Sequence, residues 1–221
     1  MARINIAIDG PAGAGKSTVA KAVAKELNII YLDTGAMYRA VALKALQSGL
    51  DTKDEEGLES LVKDIDIRIK HVGNEQRIYL DGKDVTGDIR TSEVSIGASN
   101  VAVIPAVRIK LVELQRKIAQ DNDVVMDGRD IGTYVLPDAK HKFFLTASIE
   151  ERAKRRYDEM IGKGMLDVTI EQIEKDIAFR DKNDSSRAFA PLSKASDAIE
   201  IDTTNLSAQE VVEFVLSRIN K

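Results

Sequence analysis

The chain has 221 residues, 43% of them hydrophobic, a formal net charge of −4 and no cysteine. That length and hydrophobic share suit one substantial α/β domain with a sizeable core. The missing cysteine excludes disulfides, thiolate zinc sites and a thiol nucleophile, and the mild negative charge argues against a general binder of nucleic acid or membrane surfaces.

The first predicted element is an apolar strand, Ile4-Asn5-Ile6-Ala7-Ile8-Asp9, which ends at Gly10. Gly10-Pro11-Ala12-Gly13-Ala14-Gly15-Lys16-Ser17-Thr18 follows and completes the Gly-x-x-x-x-Gly-Lys-Ser/Thr pattern, with a helix-like run from Val19 to Leu27 behind it. Such a loop wraps a diphosphate closely, because side chains at the glycine positions would obstruct the backbone N–H groups that point at it. The helix adds the positive end of its dipole. Lys16 is placed for the β- and γ-phosphates and the Ser17 hydroxyl for Mg²⁺. The strand starts at once and no apolar run reaches spanning length, so the expectation is a cytoplasmic, monomeric chain with no membrane and no nucleic-acid partner.

Ile29 to Asp33 reads as a second buried strand ending in Asp33-Thr34-Gly35, followed by a helix from about Met37 that Gly49 stops. A short acidic helix spans about Glu55 to Asp64. The pattern then changes: Ile65 to Val72 and Arg77 to Leu80 alternate apolar and polar, with a turn at Asp81-Gly82 and Val85 beyond. That predicts a small antiparallel sheet inserted into the αβ rhythm. Thr91 to Asp121 is helical with a break near Pro105, which is well placed to begin a new helix.

Val124 to Asp127 and Lys142 to Thr146 are the third and fourth buried strands, and Ile199 to Asp202 the fifth. Ser148 to Glu151 is a capping box opening a long helix, which breaks at Gly162-Lys163-Gly164; Thr169 to Gln172 caps the next, and Ser207 to Glu210 opens the last. Strands alternating with helices imply a central five-stranded parallel sheet with helices on both faces and phosphates at the strands' C-terminal edge.

An apolar strand ending in Asp127, downstream of the phosphate loop, is the usual place for a carboxylate that orients Mg²⁺ and its waters. Arg39, Arg129, Arg180 and Arg187 offer planar forks that suit phosphate oxygens. Composition alone shows no basic patch, since residues 150–187 carry nine Lys/Arg against ten Asp/Glu. His71 and His141, far apart and in polar surroundings, are expected at the surface or a strand edge.

Four motifs in order resemble the bacterial cytidylate kinases: residues 10–17, Asp-Thr-Gly-Ala-Met-Tyr-Arg (33–39), Asp-Gly-Arg-Asp-Ile-Gly-Thr (127–133), and Arg-Asp-x-x-Asp-x-x-Arg followed by Ala-Pro-Leu (180–192). They span essentially the whole chain. The resemblance implies one nucleoside-monophosphate kinase domain over residues 1–221, a P-loop three-layer fold with a monophosphate-binding insert at about 35–105 and a helical lid at about 152–187. It implies γ-phosphoryl transfer from ATP, with Mg²⁺, to CMP and dCMP. Carried over by motif, Thr34, Arg39, Arg129 and Arg180 hold the monophosphate, Asp184 and Arg187 the ribose side, and Ser99, Arg108 and Asp130 the cytosine. Lys16, Asp127, Arg129 and Arg180 would act in catalysis. Gly10 to Thr18, with Arg152 and Arg156, would hold ATP, and Ser17 and (through water) Asp127 the metal.

Three other classes are weighed, of which a pure nucleotide-binding partner module is disfavoured by the many arginines aimed at one edge. A regulatory GTPase is rejected: Asp84-Val85-Thr86-Gly87 lies in a polar hairpin, and Asp181-Lys182-Asn183-Asp184 has the letters of the guanine motif in the wrong order. A small-metabolite kinase of the shikimate type shares the phosphate loop but has no use for the arginine cluster at 180–187 or the large insert.

Overall fold

The computed structural model describes residues 3–72, 75–162, 164 and 167–219. Five strands form the parallel sheet: β1 (Asn5–Asp9), β2 (Ile30–Asp33), β6 (Val124–Gly128), β7 (His141–Thr146) and β8 (Ile199–Asp202). Their order across the sheet is β2-β6-β1-β7-β8. Strands β6 and β1 at the centre carry buried apolar runs, Val124 to Met126 and Ile6 to Ile8, because helices cover both faces. Helices α1 (Lys16–Leu27) and α8 (Ala208–Ile219) pack Val19, Val23, Val211 and Val215 onto Ile6, Ile8, Val125 and Phe143. The opposite face carries α2 (Thr34–Gln47), α3 (Glu55–Asp64), α4 (Ser92–Val101) and α5 (Pro105–Asp121) over Ala7, Leu32, Val124 and Met126.

The inserted sheet is antiparallel, β3 (Ile67–Val72), β4 (Glu75–Leu80) and β5 (Lys83–Asp84), in that order. It is seated on the edge of β2, where the His71 Nε2 lies 2.9 Å from the Tyr31 carbonyl and Gln76 Oε1 accepts from the Asp33 N–H at 2.8 Å. His71 is therefore a strand-edge residue, as expected. The hairpin helices α6 (Ile149–Gly162) and α7 (Ile170–Ser186) share a small core of their own, built from Ala153, Met160, Ile173 and Ile177.

Caps mark the helix starts that the sequence signals: Thr169 accepts from the Gln172 N–H, and Ser207 and Glu210 bond each other's backbone N–H reciprocally. One boundary differs. Helix α2 begins at Thr34, ahead of the expected Met37, because Asp33 is its N-cap and accepts from the Ala36 N–H. The Asp-Thr-Gly turn is the first turn of the helix. In the predicted break at 162–164, Gly164 takes φ 79° and donates its N–H to the Ile161 carbonyl; Lys163 lies outside the described residues.

Between β1 and the phosphate loop the backbone passes very close to β7. Gly10 has φ 144°, and a Cβ there would run into the Leu145 carbonyl oxygen. Gly10→Ala adds a disfavoured φ, about 1–3 kcal/mol, to an overpacking cost of about 1–3 kcal/mol. Urea unfolding should show a loss of that combined order or a chain that does not fold; an unchanged midpoint would contradict the close approach.

Candidate active site

The phosphate loop leaves β1 at Gly10 and enters α1 at Lys16. Gly15, the helix N-cap, is left-handed at φ 86°, and no side chain caps the helix. The first-turn N–H groups are thus left for a ligand in the loop, at the positive end of the helix dipole. Gly13 and Thr18 are exposed, Ala12 and Ala14 are buried under the loop, and Pro11 is half-buried. Lys16 is buried and its Nζ donates to the Pro11 carbonyl at 2.6 Å. Burial first, and then the Arg129 charge, push its amine down to about 7, against the pull of Asp127, Asp184 and Asp9.

Asp127 is the next-to-last residue of β6, beside Asp33 of β2 and Ile8 of β1. Its Oδ2 accepts from Ser17 Oγ at 2.7 Å, its Oδ1 from the Tyr31 hydroxyl at 2.9 Å, and its carbonyl from Thr34 Oγ1 at 2.7 Å. Burial, followed by the Asp33 charge, raises its carboxyl. One hydroxyl and one carboxylate are hard oxygen donors, and Mg²⁺ takes such a pair when phosphates and waters fill its other positions. The donor set fits that ion.

Three arginines converge on the same edge. Arg129 Nε donates to Asp184 Oδ2 at 2.6 Å, and Arg39 stands 3.9 Å from Asp33. Arg180 has no ion pair or hydrogen bond among the described residues, and burial with the neighbouring Arg129 and Arg39 charges pushes it down to about 10. Arg90, which no motif signalled, joins Asp33 at 3.2 Å.

Next to this arc lies a buried charged cluster. Asp130 is held by Arg108, which pairs with one oxygen, and by Arg187, whose Nη2 is 3.1 Å from the other. Arg187 also approaches Asp184 at 3.9 Å. The Arg108 guanidinium sits 5.8 Å from the ring centres of both Tyr38 and Phe189. Ser99 Oγ accepts from Asn183 Nδ2 at 3.3 Å. The structure therefore brings Ser99, Arg108, Asp130, Asp184 and Arg187 together from α4, α5, the turn after β6, and α7 with its following loop.

Arg152 and Arg156 differ from one another. Arg152 is buried and braces the loop, donating to the Ala12 carbonyl at 3.0 Å, the Ala147 carbonyl at 3.0 Å and Asp181 at 2.6 Å. Arg156 is half-buried and pairs with Glu159 at 2.8 Å. Sequence reasoning also passed over Asp9, whose buried carboxylate accepts from the N–H groups of Ile131 and Gly132 at 2.8 and 2.7 Å. Burial raises its carboxyl to about 6. The signal was present, an acid closing an apolar strand next to the phosphate loop.

Lys16 gives a pH prediction. With its amine near 7 in the free protein, it is largely neutral at pH 8, and a polyphosphate in the loop restores its ordinary basicity. Binding of an ATP analogue at pH 8 should take up close to one proton, and little at pH 6 where Lys16 is already charged. Calorimetry in buffers of different ionisation enthalpy measures this. Lys16→Met should abolish the uptake at pH 8; equal uptake in that variant would assign the proton elsewhere.

Comparison with known proteins agrees across the chain. The family model "Cytidylate kinase" matches residues 6–221. The cytidylate kinase of Clostridioides difficile is 54% identical over 220 residues, covering 100% of both chains. That of Bacillus pumilus is 54% identical over 219 residues, 99% of this chain and 97% of the other. A solved structure of an uncharacterised Eubacterium ventriosum protein, 18% identical, shares the fold with a TM-score of 0.54 over 99% of each chain. With the phosphate loop, the arginine arc and the Asp130 cluster all in place, this chain belongs to the cytidylate kinase family.

Proposed function

We propose that the chain transfers the γ-phosphoryl group of ATP to CMP, and to dCMP, giving ADP and the corresponding diphosphate. The observation that carries this reading is the juxtaposition of the Asp130–Arg108–Arg187 cluster with the Arg39, Arg129 and Arg180 arc. One set of groups suits a pyrimidine edge and the other a phosphate. Cytosine presents an amine donor beside two acceptors. Asp130, a carboxylate with acceptor capacity beyond its two arginine bonds, suits the amine, and Arg108 suits the acceptors. Ser99, held by Asn183, is a further polar contact on the same side, and Asp184 and Arg187 face the ribose.

The transfer needs no protein nucleophile. The CMP phosphate is largely dianionic near pH 7, and one of its oxygens attacks the γ-phosphorus in line as the bond to the β-phosphate oxygen breaks. Thr34, Arg39, Arg129 and Arg180 position the acceptor phosphate. Lys16 and the loop amides hold the donor, and Arg129 and Arg180 face the charge that develops between them. Ser17 and, through water, Asp127 would hold Mg²⁺, which supplies charge neutralisation on the donor phosphates. Arg152 serves the ATP side by fixing the loop at Ala12, and Arg156 stands further out on α6.

Residues 35–105 act as the monophosphate-binding insert and 152–187 as a lid. Supporting the second assignment, α6 and α7 pack on a core of their own while α7 carries Arg180 and Asp184. A lid that completes the site only when both substrates are present keeps water from the γ-phosphate. No single helix among the described residues is long and apolar enough to cross a membrane. We place the protein in the cytoplasm as a monomer.

Release of ADP from ATP and Mg²⁺ across a panel of monophosphates tests the assignment, with CMP expected to give the highest kcat/KM and ATP alone only slow hydrolysis. A flat response across the panel would overturn it. For base reading, Asp130→Asn is near-isosteric, and its amide can turn an N–H toward the uracil O4. Losing a hydrogen bond to a charged group is worth about 1.5–3 kcal/mol. The preference for CMP over UMP should therefore fall roughly ten- to a hundredfold; an unchanged ratio would remove Asp130 from base selection.

A further inference from the structure

Tyr31 lies in the middle of β2, with its side chain on the α1 face of the sheet among Val125, Val19 and Val23. In register it stands beside Val125, so its phenol runs along the strand toward Asp127, which lies two residues further on the same face. Tyr31 is 6% exposed and its hydroxyl is 2.9 Å from Asp127 Oδ1. Ser17 Oγ takes the other oxygen at 2.7 Å.

We propose that Tyr31 is a positioning residue for the divalent metal: its hydroxyl fixes the plane of the Asp127 carboxylate so that the carboxylate faces the phosphate loop together with Ser17. This rests on the metal role given to Ser17 and Asp127 above. A carboxylate held at one oxygen can rotate about its last bond. Donors on both oxygens, from β2 and from α1, remove that rotation. Because Tyr31 is packed between strands and helix, with Lys21 Nζ 5.7 Å from its ring centre on the outside, the hydroxyl has no freedom to leave Asp127. Outer groups of this kind tune metal affinity through the ligand they hold.

Tyr31→Phe removes the hydroxyl and keeps the ring, and Tyr31→Leu removes both while leaving an apolar filler. The probe is Mn²⁺, titrated against protein saturated with a non-hydrolysable ATP analogue and followed by electron paramagnetic resonance. In Tyr31→Phe the Mn²⁺ dissociation constant should rise roughly tenfold. The Mg²⁺ concentration giving half-maximal velocity should rise with it, while kcat at saturating Mg²⁺ and analogue affinity in chelator stay near wild type. Preserved affinity in chelator also shows that the variant is folded; if Tyr31→Phe fails that check, Tyr31→Leu carries the same expectation. Asp127→Asn runs in parallel. Weakened Mn²⁺ binding in Asp127→Asn with wild-type binding in the Tyr31 variants would overturn the proposal and leave the metal site standing. Wild-type Mn²⁺ binding in Asp127→Asn would overturn both together.

Discussion

Like charges crowded into a buried edge dominate this molecule. Lys16, Arg39 and Arg180 crowd around Arg129 at the C-terminal end of the parallel sheet, and burial together with the Arg129 charge depresses all three, whereas Arg129 itself is raised, its burial outweighed by Asp184. The lysine falls to about 7 and Arg180 to about 10, burial being the larger cause in both. Taking cations out of water and setting them side by side is unfavourable for folding. Such an arrangement becomes favourable when anions complete it, as the phosphates of the proposed function would.

A row of aspartates frames the cations. Three adjacent strands, β2, β6 and β1, carry Asp33, Asp127 and Asp9 at or next to their C-terminal ends, and each carboxylate is used differently. Asp33 caps α2 and faces Arg39 and Arg90. Asp127 takes hydroxyls from Ser17 and Tyr31. Asp9 takes two backbone amides, and so fixes the segment carrying Arg129 and Asp130 against the strand that carries the phosphate loop. The segment bearing Arg129 and Asp130 and the strand bearing the phosphate loop are therefore joined through the ends of the same sheet.

Strands β1, β2 and β6 were legible in the sequence because burial on both faces leaves short apolar runs, and the phosphate loop because its spacing has a single physical purpose. Capping residues marked the starts of α6, α7 and α8. The start of α2 was not legible: Asp33-Thr-Gly has turn composition, and only the Ala36 N–H on the Asp33 carboxylate shows it to be a cap. Contacts across long sequence separations were the other gap. Nothing local tells that Tyr31 reaches Asp127, that Arg152 supports Ala12 rather than standing free over the loop, or that Asp130 is gripped by both Arg108 and Arg187. Those pairings depend on how sheet and helices pack, and residue identity alone does not encode them.

If the crowded cations are held for phosphate, removing one should relieve the empty protein and disable the loaded one. Thermal unfolding of Arg180→Gln, with and without CMP, tests this directly. The account predicts that the ligand-free variant melts above wild type, by roughly the 2–4 °C that about 1 kcal/mol brings in a domain of this size, and that CMP no longer raises its Tm. A ligand-free variant that melts below wild type and is still stabilised by CMP would contradict it.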